Sequence, residues 1–393
     1  MTPHSDAWRV GAAWGFALAL ALIAIGNPQA VGAGTSSLGL SVNSDGVLIK
    51  NGTPYRGIGV NYYDAFVRTL RNAEDESYRT GFSQLGAHHI PFARFAAGGW
   101  TANDFKLYLT DKEAYFRLLD GVVRSAEESN VGLIASLFWP ISATSDIVSE
   151  PRERWGDRES KTRQFMRNYT REVVSRYSDS PAIWGWEFGC ELSLAVDLPN
   201  PPRNSRRFAA RAMSFETFKS AALDFAQVVR SIDSHRILLT GNSLPRAFAY
   251  HNATEGDTRA DTEQQFASIL LRDNPGPYSP ICIHTSPASA IGYFADRKVS
   301  YEELLQTCVR IGRAAGKPVY VEEFVAVPGR GGGFGLMGER EYFARELAAI
   351  KASGAPLASV WVYDRKLKAD RSNLTFDNEH SYMLQMIASA NHN

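Results

Sequence analysis

Two glutamates separated by about 130 residues stand at the ends of apolar runs and carry the chemistry that this sequence most readily suggests. The first run is Pro181-Ala-Ile-Trp-Gly-Trp-Glu-Phe-Gly-Cys-Glu191, and the second is Lys317-Pro-Val-Tyr-Val-Glu-Glu-Phe324. Both are short, aromatic or β-branched and uninterrupted, the pattern of a strand buried on both faces. A parallel α/β architecture presents its chemistry at the carboxyl ends of such strands. A carboxyl group that protonates a leaving oxygen, set opposite a carboxylate that meets the carbon it leaves, is the pairing needed for acid-assisted glycoside cleavage. Taken singly, either glutamate reads more readily as a solvated strand end. Strand alternation puts Glu323 on the face of Val319 and Val321 and puts Glu322 on the face of Tyr320.

Together the two runs resemble the clan A retaining glycoside hydrolases, in particular the cellulase and β-mannanase family 5. Ile183 to Glu191 is similar to that family's acid/base strand, and Lys317 to Phe324 is similar to its nucleophile strand, in which the Glu directly before the Phe attacks. The resemblance implies Glu191 as general acid then base and Glu323 as nucleophile, with carboxyl groups about 5 to 5.5 Å apart. It also implies roles at three other strand ends. Arg94 in Phe92-Ala-Arg-Phe95 matches an arginine that holds the nucleophile ionised, since a nearby cation lowers a carboxyl pKa. His284 in Ile281-Cys-Ile-His-Thr285 matches a histidine between the two carboxylates. Trp361 in Ser359-Val-Trp-Val-Tyr-Asp364 matches the floor of the attacked sugar's subsite. No cofactor and no metal is implied, and the expected partner is an oligo- or polysaccharide.

The sequence departs from the family pattern around one subsite. Cys190 stands where the family has an Asn that hydrogen-bonds the sugar 2-hydroxyl, and a thiol is a weak donor and a weak acceptor. Ser286 replaces a Tyr two residues after His284, and strand 3 ends Leu137-Phe138-Trp139 without the histidine found in many members. These changes suit a differently oriented 2-hydroxyl, a furanose or an acidic sugar. The competing expectation is a carbohydrate-binding barrel that has lost turnover. A thiol enzyme using Cys190 with His284 lacks an evident oxyanion loop. A metal hydrolase lacks ligand spacing, because consecutive His88 and His89 would point to opposite faces.

Eight strands are expected to position these groups: 56–62, 89–95, 132–138, 183–188, 236–240, 280–284, 318–323 and 357–363. Between them lie helical patterns at 112–128, 161–177, 215–232, 301–315 and 339–352. The alternation predicts a (β/α)8 barrel of the α/β class, with a hairpin over Leu40 to Tyr55 plugging its bottom. Three long β-to-α connections, 141–160, 192–214 and 242–261, are expected to wall a cleft. Trp139 and Trp155, in or beside them, are candidates for stacking on sugar rings, as is Trp100.

Residues 1–33 read as an export signal, with Arg9, an apolar run of about 15 residues against the roughly 20 needed to span a bilayer, and small residues Val31-Gly32-Ala33. Residues 34–393 then form one catalytic domain, secreted or periplasmic, with no membrane anchor after cleavage. Lys plus Arg equals Asp plus Glu at 42 each, so no net charge recruits nucleic acid or an anionic membrane. Three cysteines make no disulfide framework. The fold must rest on its core.

Overall fold

A computed structural model describes residues 38–139, 141–197, 213–287, 293–325, 338–366 and 372–392; the expected export segment, residues 1–33, and most of the 192–214 connection lie outside them. Residues from Ser36 onward form one compact unit. Its centre is a sheet of eight parallel strands: β4 (Gly57–Asn61), β5 (Phe92–Ala96), β6 (Gly132–Phe138), β7 (Ile183–Gly189), β8 (Ile237–Leu239), β9 (Ile281–Thr285), β10 (Val319–Val325) and β11 (Leu357–Trp361). The spatial order is β8-β7-β6-β5-β4-β11-β10-β9. Every neighbour is parallel, and β11 pairs with β4, so the first and last strands of the series meet. Opposite them, Ser279 N–H donates to the Leu238 carbonyl at 2.9 Å, joining β8 to the entry of β9. This is a (β/α)8 barrel with flanking helices, as the alternation predicted.

The strands are buried throughout, with β4 to β9 showing no exposed position. That explains their continuous apolar sequences. Two helices keep their expected limits, Lys112–Glu128 and Lys161–Tyr177. Asp111 and Ser160 cap them by accepting from the N–H groups of Ala114 and Arg163. Helices at Ser77–Ala87, Glu263–Asp273 and Ser381–His392 were not expected. The expected hairpin is a three-stranded antiparallel sheet, β1 (Leu40–Val42), β2 (Leu48–Lys50) and β3 (Thr53–Pro54). Leu40 and Leu48 pack onto Phe92, Ile134, Trp184, Ile237, Leu239, Cys282, Tyr320 and Leu357. Those eight are residues of the barrel interior, all but Leu239 from the strand starts or the residues near them, so the small sheet does close the bottom of the barrel.

The backbone differs from simple alternation at one place that matters. In β10 the register against β9 shifts between Val321 and Glu323, and against β11 between Val321 and Phe324. A bulge leaves one extra residue on its strand, so consecutive side chains can turn to the same side. Glu322 and Glu323 therefore both reach the barrel interior, contrary to the opposite faces that strand alternation predicts.

Candidate active site

The strand ends deliver their polar residues to one spot. Arg94, wholly buried on β5, donates from Nε to Glu187 Oε2 at 2.7 Å and from Nη2 to Glu187 Oε1 at 2.9 Å. Its Nη1 donates to Glu323 Oε1 at 2.6 Å and to Asn61 Oδ1 at 3.0 Å. One guanidinium thus spans β4, β7 and β10, using the planar fork that suits bidentate carboxylate pairing. Arg94 is thus at once a partner of Glu323 and a buried ion pair with Glu187.

His284, on β9, completes the arc. Its Nδ1 lies 3.1 Å from Glu191 Oε1 and 3.6 Å from Glu323 Oε2, while Nε2 lies 3.1 Å from Glu322 Oε2. Those first two lengths cap the gap between these two oxygens of Glu191 and Glu323 near the bottom of the inverting range of about 6.5 to 9.5 Å. Glu191 follows β7 in a left-handed conformation, φ 54° and ψ 29°, rare for a residue with a Cβ. Its N–H donates to the Gly241 carbonyl at 2.7 Å, which anchors the turn to the segment after β8. The Glu191 side chain is 43% exposed and that of Glu323 16%, so both open on the cleft.

Proton affinities in this web are set by burial and crowding. Burial raises Glu187, with Arg94 offsetting only part and Glu322 adding to it. Glu322 is equally buried, yet Arg94, His284 and Glu187 outweigh that cost and hold it low. Crowded beside one arginine that also serves Glu323, the pair is driven apart, Glu187 toward its protonated form and Glu322 toward its ionised form. Burial would depress His284, but Glu323, Glu191 and Glu322 surround it and lift it to about 10. Glu191 lies below its usual value because the His284 contact outweighs its own desolvation. Glu323 lies above its usual value: burial dominates, His284 and Arg94 pull down, and Glu191 pushes up. Arg94 contacts Glu323 and pulls its proton affinity down, but burial outweighs that pull.

Cys190 points at Glu323, with Sγ 3.7 Å from Oε1, and burial pushes its thiol up so that it is a protonated donor. Trp139 lies under Arg94, whose guanidinium carbon sits 4.0 Å from the ring centroid. Trp361 stacks on Tyr63 at 5.4 Å, and Trp100 packs edge-on to the same tyrosine at 5.3 Å, making an aromatic wall beside the carboxylates. Trp155 does not join it. That side chain is fully buried, donates from Nε1 to Ser145 Oγ at 3.0 Å and packs on Phe188, because the 141–160 connection folds back as a helix and a 3-10 turn against the barrel's outer layer.

Asn61, Glu187, Glu322 and Tyr63 were not among the expected site residues. Asn61 Nδ2 donates to the Glu322 carbonyl at 3.0 Å, and Ser359 Oγ donates to the same carbonyl at 2.6 Å, which pins the bulge. Polar residues at the ends of otherwise apolar strands, as in Gly57-Ile-Gly-Val-Asn61, were the available signal.

No family profile matches the chain. Over 250 residues it is 26% identical to a mannan endo-1,4-β-mannosidase A of Podospora anserina, covering 58% of this chain and 60% of that protein. The chain thus spans less than two thirds of this curated relative. An endo-1,4-β-mannanase from Rhizomucor miehei superposes with a TM-score of 0.64 at 15% identity, over 90% of this chain and 99% of that one. A glycoside hydrolase family 5 mannosidase from Rhizomucor miehei gives 0.60 at 11% identity, over 91% and 98%. The chain resembles the mannanases and mannosidases of glycoside hydrolase family 5. The structural likeness to these proteins is one of fold.

Proposed function

We propose that this chain is a retaining glycoside hydrolase acting on an oligo- or polysaccharide, with Glu323 as nucleophile and Glu191 as acid then base. The observation that carries the reading is that Glu191 and Glu323, from the ends of two strands, both lie against one histidine nitrogen in the cleft, where an acid/base and a nucleophile can flank one glycosidic bond. In the first step Glu323 attacks the anomeric carbon while Glu191 gives its proton to the leaving oxygen. The product is a glycosyl ester on Glu323. In the second step water attacks that ester, and Glu191 takes the water's proton, restoring both groups.

The reaction needs Glu191 protonated and Glu323 ionised, the reverse of their leanings in the ligand-free cleft. His284 is placed to correct this. Its Nδ1 lies within reach of both carboxylates, so it can hand its proton to Glu191 as the sugar enters, while Glu322 holds the ring through Nε2. The Cys190 thiol and Arg94 donate to Glu323 Oε1 and steady the charge that forms there. Tyr63, Trp100 and Trp361 supply faces on which sugar rings stack.

The mannan-acting relative makes β-mannan the first substrate to try, followed by β-glucan and glycans rich in furanose or acidic sugars. We place the enzyme outside the cytoplasm, secreted or periplasmic, on the strength of residues 1–33. Proton NMR of early products decides the mechanism: the released sugar should keep its anomeric configuration, and a product of opposite configuration would show an inverting enzyme.

A further inference from the structure

Among the described residues one group of three side chains is suited to hold a metal ion, and it lies in this cleft. Cys190 Sγ, His284 Nδ1 and a Glu323 carboxylate oxygen all lie within 4.8 Å of one another. They come from the ends of β7, β9 and β10, and this is why their spacing in the sequence, at 190, 284 and 323, shows no ligand pattern. Sγ is 3.7 Å from Glu323 Oε1, and Nδ1 is 3.6 Å from Glu323 Oε2. A tetrahedral zinc with bonds of about 2.0 to 2.3 Å separates its ligands by roughly 3.3 to 3.8 Å, so a set already within 4.8 Å must draw in by about 1 Å to hold it.

Three further features support a cation there. The donor set is one thiol, one imidazole and one carboxylate, which suits borderline-soft zinc or cadmium over magnesium or calcium. His284 is held from behind by Glu322, whose Oε2 lies 3.1 Å from Nε2, the carboxylate–histidine arrangement that orients ligating imidazoles. Glu191 Oε1, 3.1 Å from the same Nδ1, stands ready as a fourth ligand. Arg94 opposes a cation, but Glu187, Glu322, Glu323 and Glu191 surround it.

We propose that Cys190, His284 and Glu323 bind a thiophilic divalent cation, zinc or cadmium, which occupies the nucleophile and reversibly shuts the cleft. Binding displaces the proton of the Cys190 thiol and the Nδ1 proton of His284 to solvent, with no change of oxidation state. The inhibitory consequence rests on the glycosidase reading, whereas the binding does not.

The test is cadmium titration of the purified protein in chelator-free buffer, read by thiolate-to-cadmium absorption in the ultraviolet. One equivalent should bind and shield Cys190 from iodoacetamide, mapped by mass spectrometry on the unaltered protein so that no variant need fold. Cys190→Ser should lose the band although Cys282 and Cys308 remain, and Glu322→Gln should weaken binding by about 10- to 100-fold. Zinc should abolish glycosidase activity and a chelator should restore it. A band that persists in Cys190→Ser, or full alkylation of Cys190 under saturating cadmium, overturns the proposal. A protein that binds cadmium as described yet cleaves no glycan would leave the site standing and overturn the enzymatic reading instead.

Discussion

The lower and upper halves of the barrel interior are built from the same strands and have opposite character. On β5 the inward series runs Phe92 then Arg94; on β9, Cys282 then His284; on β10, Tyr320 then Glu322; on β11, Leu357, Ser359 and Trp361. The lower members join Leu40 and Leu48 in one apolar cluster, and the upper members join the carboxylate web or, for Trp361, the aromatic wall beside it. Two residues along a strand, about 6.6 Å, separate plain packing from chemistry. The lower half gives the upper a rigid base on which four carboxylates, one arginine and one histidine can be held together. The upper half is costly to fold, since buried charges return little net stability even when paired.

Changes in the two halves should therefore separate activity from stability. The largest effect belongs to Glu323→Ala, which should remove turnover on every substrate while leaving the fold intact, measured by initial rates beside a thermal melt. Glu191→Ala should cost about 10²- to 10⁴-fold on a natural glycan but much less on a dinitrophenyl glycoside, whose leaving group needs no proton. Equal losses on both substrates would remove Glu191 from the acid role.

The lower half should answer in the other currency. Trp184, packed against Tyr55, Phe92 and the Lys50 ammonium, fits so closely that a Cβ on Gly132 would meet its ring. Trp184→Ala should lower unfolding stability by about 3 to 5 kcal/mol, read by denaturant titration, with kcat per folded molecule unchanged. A large drop in kcat would show that the base does more than support.

A buried carboxylate outside the web sharpens the contrast. Burial raises Asp273 to about 6, because Arg272 offsets only part of the desolvation cost. A carboxyl raised in the folded state favours folding when protonated, so its contribution is present below about pH 4 and lost as pH rises through about 6. Asp273→Asn, which can still accept from Arg272, should be more stable than the parent at pH 7 by roughly 1 to 3 kcal/mol and equal to it near pH 4. Parallel stability curves for the two proteins between pH 4 and 7 would refute the assignment.

Much of this organisation is visible in the sequence. β6 and the helices Lys112–Glu128 and Lys161–Tyr177 keep their expected limits, because continuous apolar runs, 3.6-residue periodicity and the cap residues Asp111 and Ser160 are local signals. The helix Glu263–Asp273 carries such a signal too, in the capping box of Thr262 with Gln265. Ser77–Ala87 contains Gly81 and Gly86 and is held as a helix by packing that no local pattern records. The bulge at Glu322 and Glu323 is invisible to a period-two reading, since it depends on Asn61 and Ser359 from neighbouring strands. Trp155 was expected in the cleft because it lies in a long connection, but a connection's length does not say which way its aromatics turn.

The smallest effect concerns the position that departs most from the family pattern. Cys190→Asn should change kcat/KM on the true substrate by about tenfold, downward if the thiol fits that sugar, since the larger amide would crowd Glu323 and bring a polar group needing partners. A rise in β-mannanase or β-glucanase activity would mean instead that Cys190 is a loss from an ordinary site.

The most direct test of the double-displacement account is covalent trapping. Dinitrophenyl 2-deoxy-2-fluoro-β-mannoside and the matching glucoside form the glycosyl ester faster than water can release it, and peptide mass spectrometry locates the sugar. The account expects a single label on Glu323, absent in Glu323→Gln; a label on Glu322, or steady cleavage of natural glycan with no trapped intermediate from any tested fluorosugar, would contradict it.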